Sequence, residues 1–392
     1  MTLSRRAWSF VAWMVAAVGL TTGCAGGPAD APRPAAAGGE QSPATAAPIA
    51  DELRPIATEE VWRWPAPEPG SVGMPAADGA AVAATYGHLR LVLLDLDGDV
   101  RWEAERLGLR DVAPALTDDL VVAATETGVV AVDRRTGTVR WDRDVGERAN
   151  SPVIAGGRAV VSTWEGSLTA FDLTDGRVAW RTALPGSAIG PAATDGATVV
   201  ATWESELGDG AGAVAVDAAD GRPRWTVAVA PGGVGGPAIV AVPAAATSVV
   251  VFVAGDIAAH GLDLDTGAER WRTPTQGRGS PEVPPLPIGG GEVLVPHRLA
   301  GMVLLDADSG EVQWGGSAGG VATRGGPVGN GPDGPFAFPT DDGRVVLVGP
   351  GWEPALLDWP GRVSGVALAP EGLVVAGTRE ARANHLIATR LR

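Results

Sequence analysis

The sequence predicts an all-β chain folded as an eight-bladed β-propeller whose N-terminal strand completes the last blade, and three observations carry that prediction. One unit recurs through most of the 392 residues: an apolar strand ending in Asp, a turn ending in Gly, and a strand ending in Trp. A Pro that follows small residues and opens an apolar run keeps step with that unit. The two ends of the repeat region are complementary, because the C-terminal end offers three strands and the N-terminal end offers the missing fourth. Short apolar segments broken by Gly turns, about four to a period of roughly forty residues, are the pattern of propeller blades. Seven blades is the alternative, if the most degenerate unit, ending at Trp359, is not a blade.

Ahead of the repeat, Arg5 and Arg6 precede an apolar run over residues 7–20. That run is short for a bilayer span and reads, over residues 1–23, as a signal peptide. It ends at Leu20-Thr21-Thr22-Gly23-Cys24, similar to a bacterial lipobox with its Leu one place farther from the cysteine than usual. Cys24 is the one cysteine of the chain. A lipid on Cys24 would hold the protein at the extracytoplasmic face of the cell membrane, and no disulfide is then possible within the folded domain. Residues 24–60 are rich in Ala, Pro and Gly, a composition that buries little apolar surface and serves as a tether.

The propeller is expected over residues 61–392. The unit is complete at Asp133, Gly137 and Trp141 and recurs at Asp172, Gly176 and Trp180. Further copies hold Asp217, Gly221 and Trp225, then Asp263, Gly267 and Trp271, then Asp306, Gly310 and Trp314. The copy from Asp95 to Trp102 has a shorter turn, the one ending at Trp359 has lost its Asp, and Val61–Trp64 resembles only the last strand. Counting from Trp64, these Trp residues stand 38 to 46 residues apart. An Asp carboxylate accepts hydrogen bonds from the turn amides that follow it, and Gly supplies the left-handed residue such a turn needs. The Trp should fill the wedge between blades and donate its indole N–H to a carbonyl of the next one. Pro75, Pro114, Pro152, Pro191, Pro237, Pro281 and Pro327 should open the innermost strands, where Pro costs no ladder bond. Three last strands, near residues 362–366, 372–376 and 386–390, leave Val61–Trp64 to complete blade eight and remove the open sheet edge.

The motif Ala-x-Asp-x-x-Thr-Gly-x-x-x-Trp at Ala131–Trp141 resembles the tryptophan-docking repeat of the quinoprotein alcohol dehydrogenase-like superfamily, with looser copies over residues 61–392. The resemblance implies the propeller fold and leaves two functions open. Enzymes of this superfamily bind pyrroloquinoline quinone with calcium and oxidise alcohols or sugars. Those of the alcohol-dehydrogenase type also stack a vicinal-cysteine disulfide on the quinone, which this chain cannot form. A non-enzymatic branch includes the propeller lipoprotein of the outer-membrane barrel-assembly machinery, which is similar in length, anchor and blade number. That branch implies a scaffold binding an envelope protein or glycan with no cofactor; quinone and calcium belong to the enzyme alternative.

Composition narrows the rest. A formal net charge of -16 argues against a nucleic-acid partner, since phosphate contacts need a basic face. The four His stand far apart, without metal-ligand spacing. The repeated Asp residues read as turn formers, and no Ser-His-Asp constellation or nucleophile elbow is present. Hub positions Ser151, Gly190, Gly236, Ser280, Gly326 and Ser364 are small and uncharged, which favours a scaffold over an enzyme; the scaffold is expected to be monomeric. The loops between blades, and between second and third strands, should form the binding face. There the chain places Tyr86, His88, Arg148, Asn150, Trp164, Glu165, Trp203, Glu204, His297 and Arg298. Trp164-Glu165 and Trp203-Glu204 read as equivalent positions in adjacent blades and suit a sugar-stacking or peptide patch. The alternative is that both Trp pack between blades.

Overall fold

The computed structural model describes residues 54–55, 58–67, 71–105, 107–229, 234–243, 245–254, 258–274, 284–297, 301–316, 328–329, 336–339, 344–348, 354–357, 362–370, 373–379 and 384–391. The signal segment and Cys24 lie outside them. The described strands form eight sheets, each with antiparallel neighbours apart from one added parallel strand, and no α-helix occurs among the described residues. Blades 1 to 7 cover residues 76–104, 115–144, 153–183, 193–229, 238–274, 286–316 and 328–357. The degenerate unit is thus a blade, and the ring has eight.

Blade 8 joins the chain ends. Its inner strands are Arg362–Ala369, Leu373–Arg379 and Asn384–Leu391, and its outer strand is Thr58–Pro65. Thr58 pairs with Leu391 and Trp64 with Leu386. The innermost strand of blade 1, Ala76–Ala77, touches those of both blade 8 and blade 2, so the ring closes at the hub as well. Upstream of Thr58, Arg54–Pro55 adds a fifth, parallel strand to blade 7, with Arg54 against Ala355 and Pro55 against Leu356.

Burial follows the wedge geometry. Middle strands such as Leu120–Ala124 and Gly128–Asp133 are buried throughout, because neighbouring blades cover both of their faces. Outer strands such as Val139–Asp144 expose most residues and bury Trp141. The Trp indoles then dock forward. Nε1 of Trp102 donates to Arg134 O at 2.8 Å, that of Trp141 to Leu173 O at 3.0 Å, and that of Trp180 to Ala218 O at 3.0 Å. Trp225 donates to Leu264 O at 2.7 Å and Trp271 to Ala307 O at 2.8 Å. Each ring lies on the turn Gly of the following blade. At Gly176, with φ of 70°, an added Cβ would stand 2.6 Å from the Trp141 ring. The preceding Asp closes the turn: Asp133 Oδ1 accepts from the Thr136 amide at 2.8 Å and its hydroxyl at 2.8 Å. Asp172 does the same with Thr174.

Two positions of the repeat shift in phase. In the closing strand the docking residue is Trp62, not Trp64: its Nε1 donates to Leu96 O at 2.9 Å and its ring covers Gly98. The cause is a bulge between Glu60 and Trp62, matching that between Val139 and Trp141, which turns Trp62 towards blade 1. Trp64 instead meets Tyr86 edge-on at 5.2 Å. In blade 6 the strand Leu286–Gly289 follows Pro284-Pro285, and Pro284 packs against Gly236 where the other blades have small residues. Ser280 and Pro281 lie outside the described residues, as does Trp359. The outer strand of blade 7, Pro354–Leu357, contains no Trp. Trp314, on the outer strand of blade 6, stands opposite Leu304 of the third strand.

Candidate functional site

Alternating hairpins divide the molecule into two faces. The turns after the first and third strands of each blade share one, hereafter the turn face. The loops between second and third strands, with the connections between blades, share the other, the loop face. Among the described residues, single bridges tie five connections to the end of the second strand each precedes: Val72 to Tyr86, Leu109 to Thr125, Ala149 to Thr163, Ser187 to Glu204, and Val234 to Ala254.

The structure separates the two Trp that the sequence aligns. Trp203 is 7% exposed and belongs to the cluster between blades 3 and 4 that includes Trp180, Leu168 and Val214. Trp164 is 41% exposed on the loop face. The strand Thr198–Glu204 carries Trp203 inside its ladder, opposite Gly212, whereas the blade 3 ladder ends at Ser162–Leu168 and leaves Trp164 in the turn beyond. One Trp is structural; the other is presented.

Trp164 sits in a built frame. Its Nε1 donates to Asn150 Oδ1 at 2.9 Å, and Asn150 is buried. Asn150 Nδ2 donates to Ser162 Oγ at 3.1 Å and Gly190 O at 3.0 Å, so the strut ties blade 3 to the hub of blade 4. Two guanidiniums approach the indole ring, Arg148 at 4.7 Å and Arg110 at 5.4 Å, within cation–π range. The Arg148 amide donates to Glu165 Oε2 at 2.9 Å. Beneath them Glu147 accepts from Thr163 and Ser167 hydroxyls at 2.6 and 2.7 Å and pairs with Arg181. Burial pushes the Arg110 pKa below its ordinary value, opposed by Glu126. Sequence reasoning missed Arg110. Nothing marks it among 30 basic residues, all of them Arg; only folding brings it to Trp164.

Other candidates are placed differently. Tyr86 is buried at the seam between blades 8 and 1, with its hydroxyl donating to Glu103 Oε2 at 2.5 Å. Burial, and then Glu103, push its pKa up to about 12. His88 is exposed, with φ of 58° and Nε2 3.6 Å from Asp111 Oδ2, which also accepts from Ser71 Oγ at 2.6 Å. Glu204 ends its strand beside the Ser187 bridge. His297 ends the strand Glu292–His297 opposite Gly301, and Arg298 lies outside the described residues.

A calcium-held quinone finds no matching donor set in the described hub. No group of three or more His, Cys, Asp or Glu side chains with metal-binding geometry occurs among the described residues, whereas calcium takes six to eight oxygens. At the axis backbone meets backbone instead: Gly190 lies against Gly236, and Gly365 against Met74.

The family model described as "Outer membrane protein assembly factor BamB" matches residues 52–153 and 126–348. No curated protein matches the sequence. Among solved structures, BamB from Moraxella catarrhalis is similar at a TM-score of 0.63 and 17% identity, covering 86% of this chain and 98% of that one. Quinohemoprotein alcohol dehydrogenase ADHIIG from Pseudomonas putida HK5 is similar at 0.64 and 13%, covering 85% and 76%. A europium-containing methanol dehydrogenase is similar at 0.64 and 13%, covering 85% and 93%. At such identities the likeness is one of fold.

Proposed function

The chain belongs to the outer membrane protein assembly factor BamB family, and from that premise we propose that it is an extracytoplasmic scaffold, anchored through a lipid on Cys24, that docks an envelope protein on its loop face without catalysing a reaction. One observation carries this reading. Three loops joining second to third strands hold exposed apolar residues: Leu89 at 51% in blade 1, Trp164 at 41% in blade 3 and Leu207 at 85% in blade 4. Among the described residues, the other exposed large apolar side chains are valines of outer strands, Val61, Val100, Val139 and Val178. Leu and Trp side chains held out on loops are a mark of protein-binding surfaces. A glycan fits less well, because guanidiniums already approach the Trp164 ring on which a sugar would stack. The family description supports a role in assembly. The lipobox-like Leu20–Cys24 supports the anchor, and the described hub favours a scaffold over a quinoprotein.

A photo-crosslinking residue at Leu207, compared with one at Val139 on the turn face, tests the proposal in the full-length protein. A discrete cross-linked partner is expected from Leu207 alone, and Leu89→Asp should remove it. Equal cross-linking from both faces, or none from Leu207, would overturn the reading. Titration with pyrroloquinoline quinone and calcium, followed by dye-linked alcohol oxidation, tests the lack of catalysis; saturable turnover would sink it.

A further inference from the structure

The frame around Trp164 also points to the chemistry of a ligand, an inference that rests on the loop face being the docking face. Arg110 stands on the connection into blade 2, where its amide donates to Ala124 O at 3.1 Å. Its side chain reaches across to blade 3, the guanidinium 5.4 Å from the Trp164 ring centre. Nη1 is shielded from solvent and has no hydrogen-bond partner. Neighbouring cations are matched: Arg90 pairs with Glu105, and Arg181 with Glu147. Arg110 has no ion pair among the described residues. Arg148 approaches the same ring at 4.7 Å, while its Nε meets Glu165 only at 3.5 Å and its side chain is 54% exposed. A shielded guanidinium donor without an acceptor is costly, and the planar fork of Arg matches the two oxygens of a carboxylate.

We propose that Arg110 and Arg148, set around the Trp164 ring, form a receptor for a carboxylate. The group belongs to an acidic side chain or chain terminus of a partner protein, or to a small free acid. Seating it turns the Arg110 fork towards the incoming oxygens and gives the shielded donor its acceptor. Trp164, fixed by Asn150, keeps both guanidiniums in place. Glu126 and Glu165 beside Arg110 favour a singly charged group over a phosphate dianion, which their charges repel more strongly.

The test is calorimetric titration of the full-length protein with glutarate, inorganic phosphate, and a short N-acetylated, C-amidated oligoglutamate peptide, against an oligoglutamine control. Oligoglutamate should bind above the control, with affinity falling as salt rises. Arg110→Gln should weaken it about tenfold or more, the scale of one lost charge-assisted hydrogen bond. Arg110→Lys should retain part of the binding, because it keeps the charge and loses the fork. Arg135→Gln on the turn face should change nothing, and thermal melts check that each variant is folded. Peptide binding well above glutarate assigns the carboxylate to a protein; equal binding assigns it to a small acid. No binding above oligoglutamine, undiminished binding in Arg110→Gln, or tighter binding of phosphate than of glutarate would each overturn the proposal. Cross-linking from Leu207 that persists while the titration is blank would sink this proposal and leave the docking face standing. The reverse pattern would do the opposite.

Discussion

The turn face repeats itself blade after blade, and the loop face hardly repeats at all. On the turn face, Asp closes a turn, Gly takes a left-handed conformation, and the preceding blade's Trp lies on that Gly and donates to a carbonyl beside it. This holds at Gly98, Gly137, Gly176, Gly221, Gly267 and Gly310. On the loop face, among the described residues, the single bridges between connection and second strand recur in five blades, and those blades hang different side chains on them. A repeated face holds the ring together, and a varied one is left to carry recognition.

The largest break in that contrast should come from a docking residue. Trp141→Ala removes a buried indole, its hydrogen bond to Leu173 and its contact with Phe171, and should lower unfolding stability by about 3–5 kcal/mol in denaturant titration. Next comes its seat. Gly176→Ala sets a Cβ 2.6 Å from that ring at positive φ and should destabilise by about 1–3 kcal/mol, read as a lower melting temperature.

A smaller effect is expected from Asp133, whose pKa is held down to about 2 by the Thr136 hydroxyl and then by Arg140. The folded value lies below the ordinary 3.8, so the stability it adds is present above that pH and is lost as pH falls towards about 2. Asp133→Asn should flatten this part of the stability–pH curve, measured by urea unfolding at stepped pH. If the curve is unchanged, the turn Asp is spacing without electrostatics. The smallest change in stability should come from the loop face. Trp164→Ala should shift unfolding by less than about 1 kcal/mol yet remove cross-linking from Leu207. A large stability loss would show that Trp164 is part of the scaffold after all.

The same contrast explains what was legible in the sequence. Strand spacing, the Asp and Gly turns and the shared last blade could all be read from it, because hydrophobic period and turn chemistry are local. Which Trp of Val61-Trp62-Arg63-Trp64 docks is not local information, because alternate residues face opposite sides and a bulge decides which one turns towards the next blade. In blade 6 Pro284-Pro285 precede the first strand, while the Ser280-Pro281 that the repeat offers as hub lies outside the described residues. The sequence leaves Trp164 open to presentation or to packing between blades. Trp203 was not distinguishable from it, since two extra ladder pairs bury one and a tight turn exposes the other. Arg110 was out of reach, being far from Trp164 along the chain and next to it only once blades 2 and 3 pack.

The outer strand of blade 7, Pro354–Leu357, contains no Trp and is covered by Arg54–Pro55. A few residues later the same segment becomes the outer strand of blade 8, with Thr58 opposite Leu391. The earliest part of the propeller to be synthesised must therefore wait for nearly the last. Until residues 384–391 emerge, the nascent chain is an open arc with unpaired strands at both ends, and blade 8 is the slow, long-range step of folding. Once it forms, the N-terminal segment is a buckle across the join. Any pull transmitted from upstream falls first on those few backbone pairs, not on the docked tryptophans.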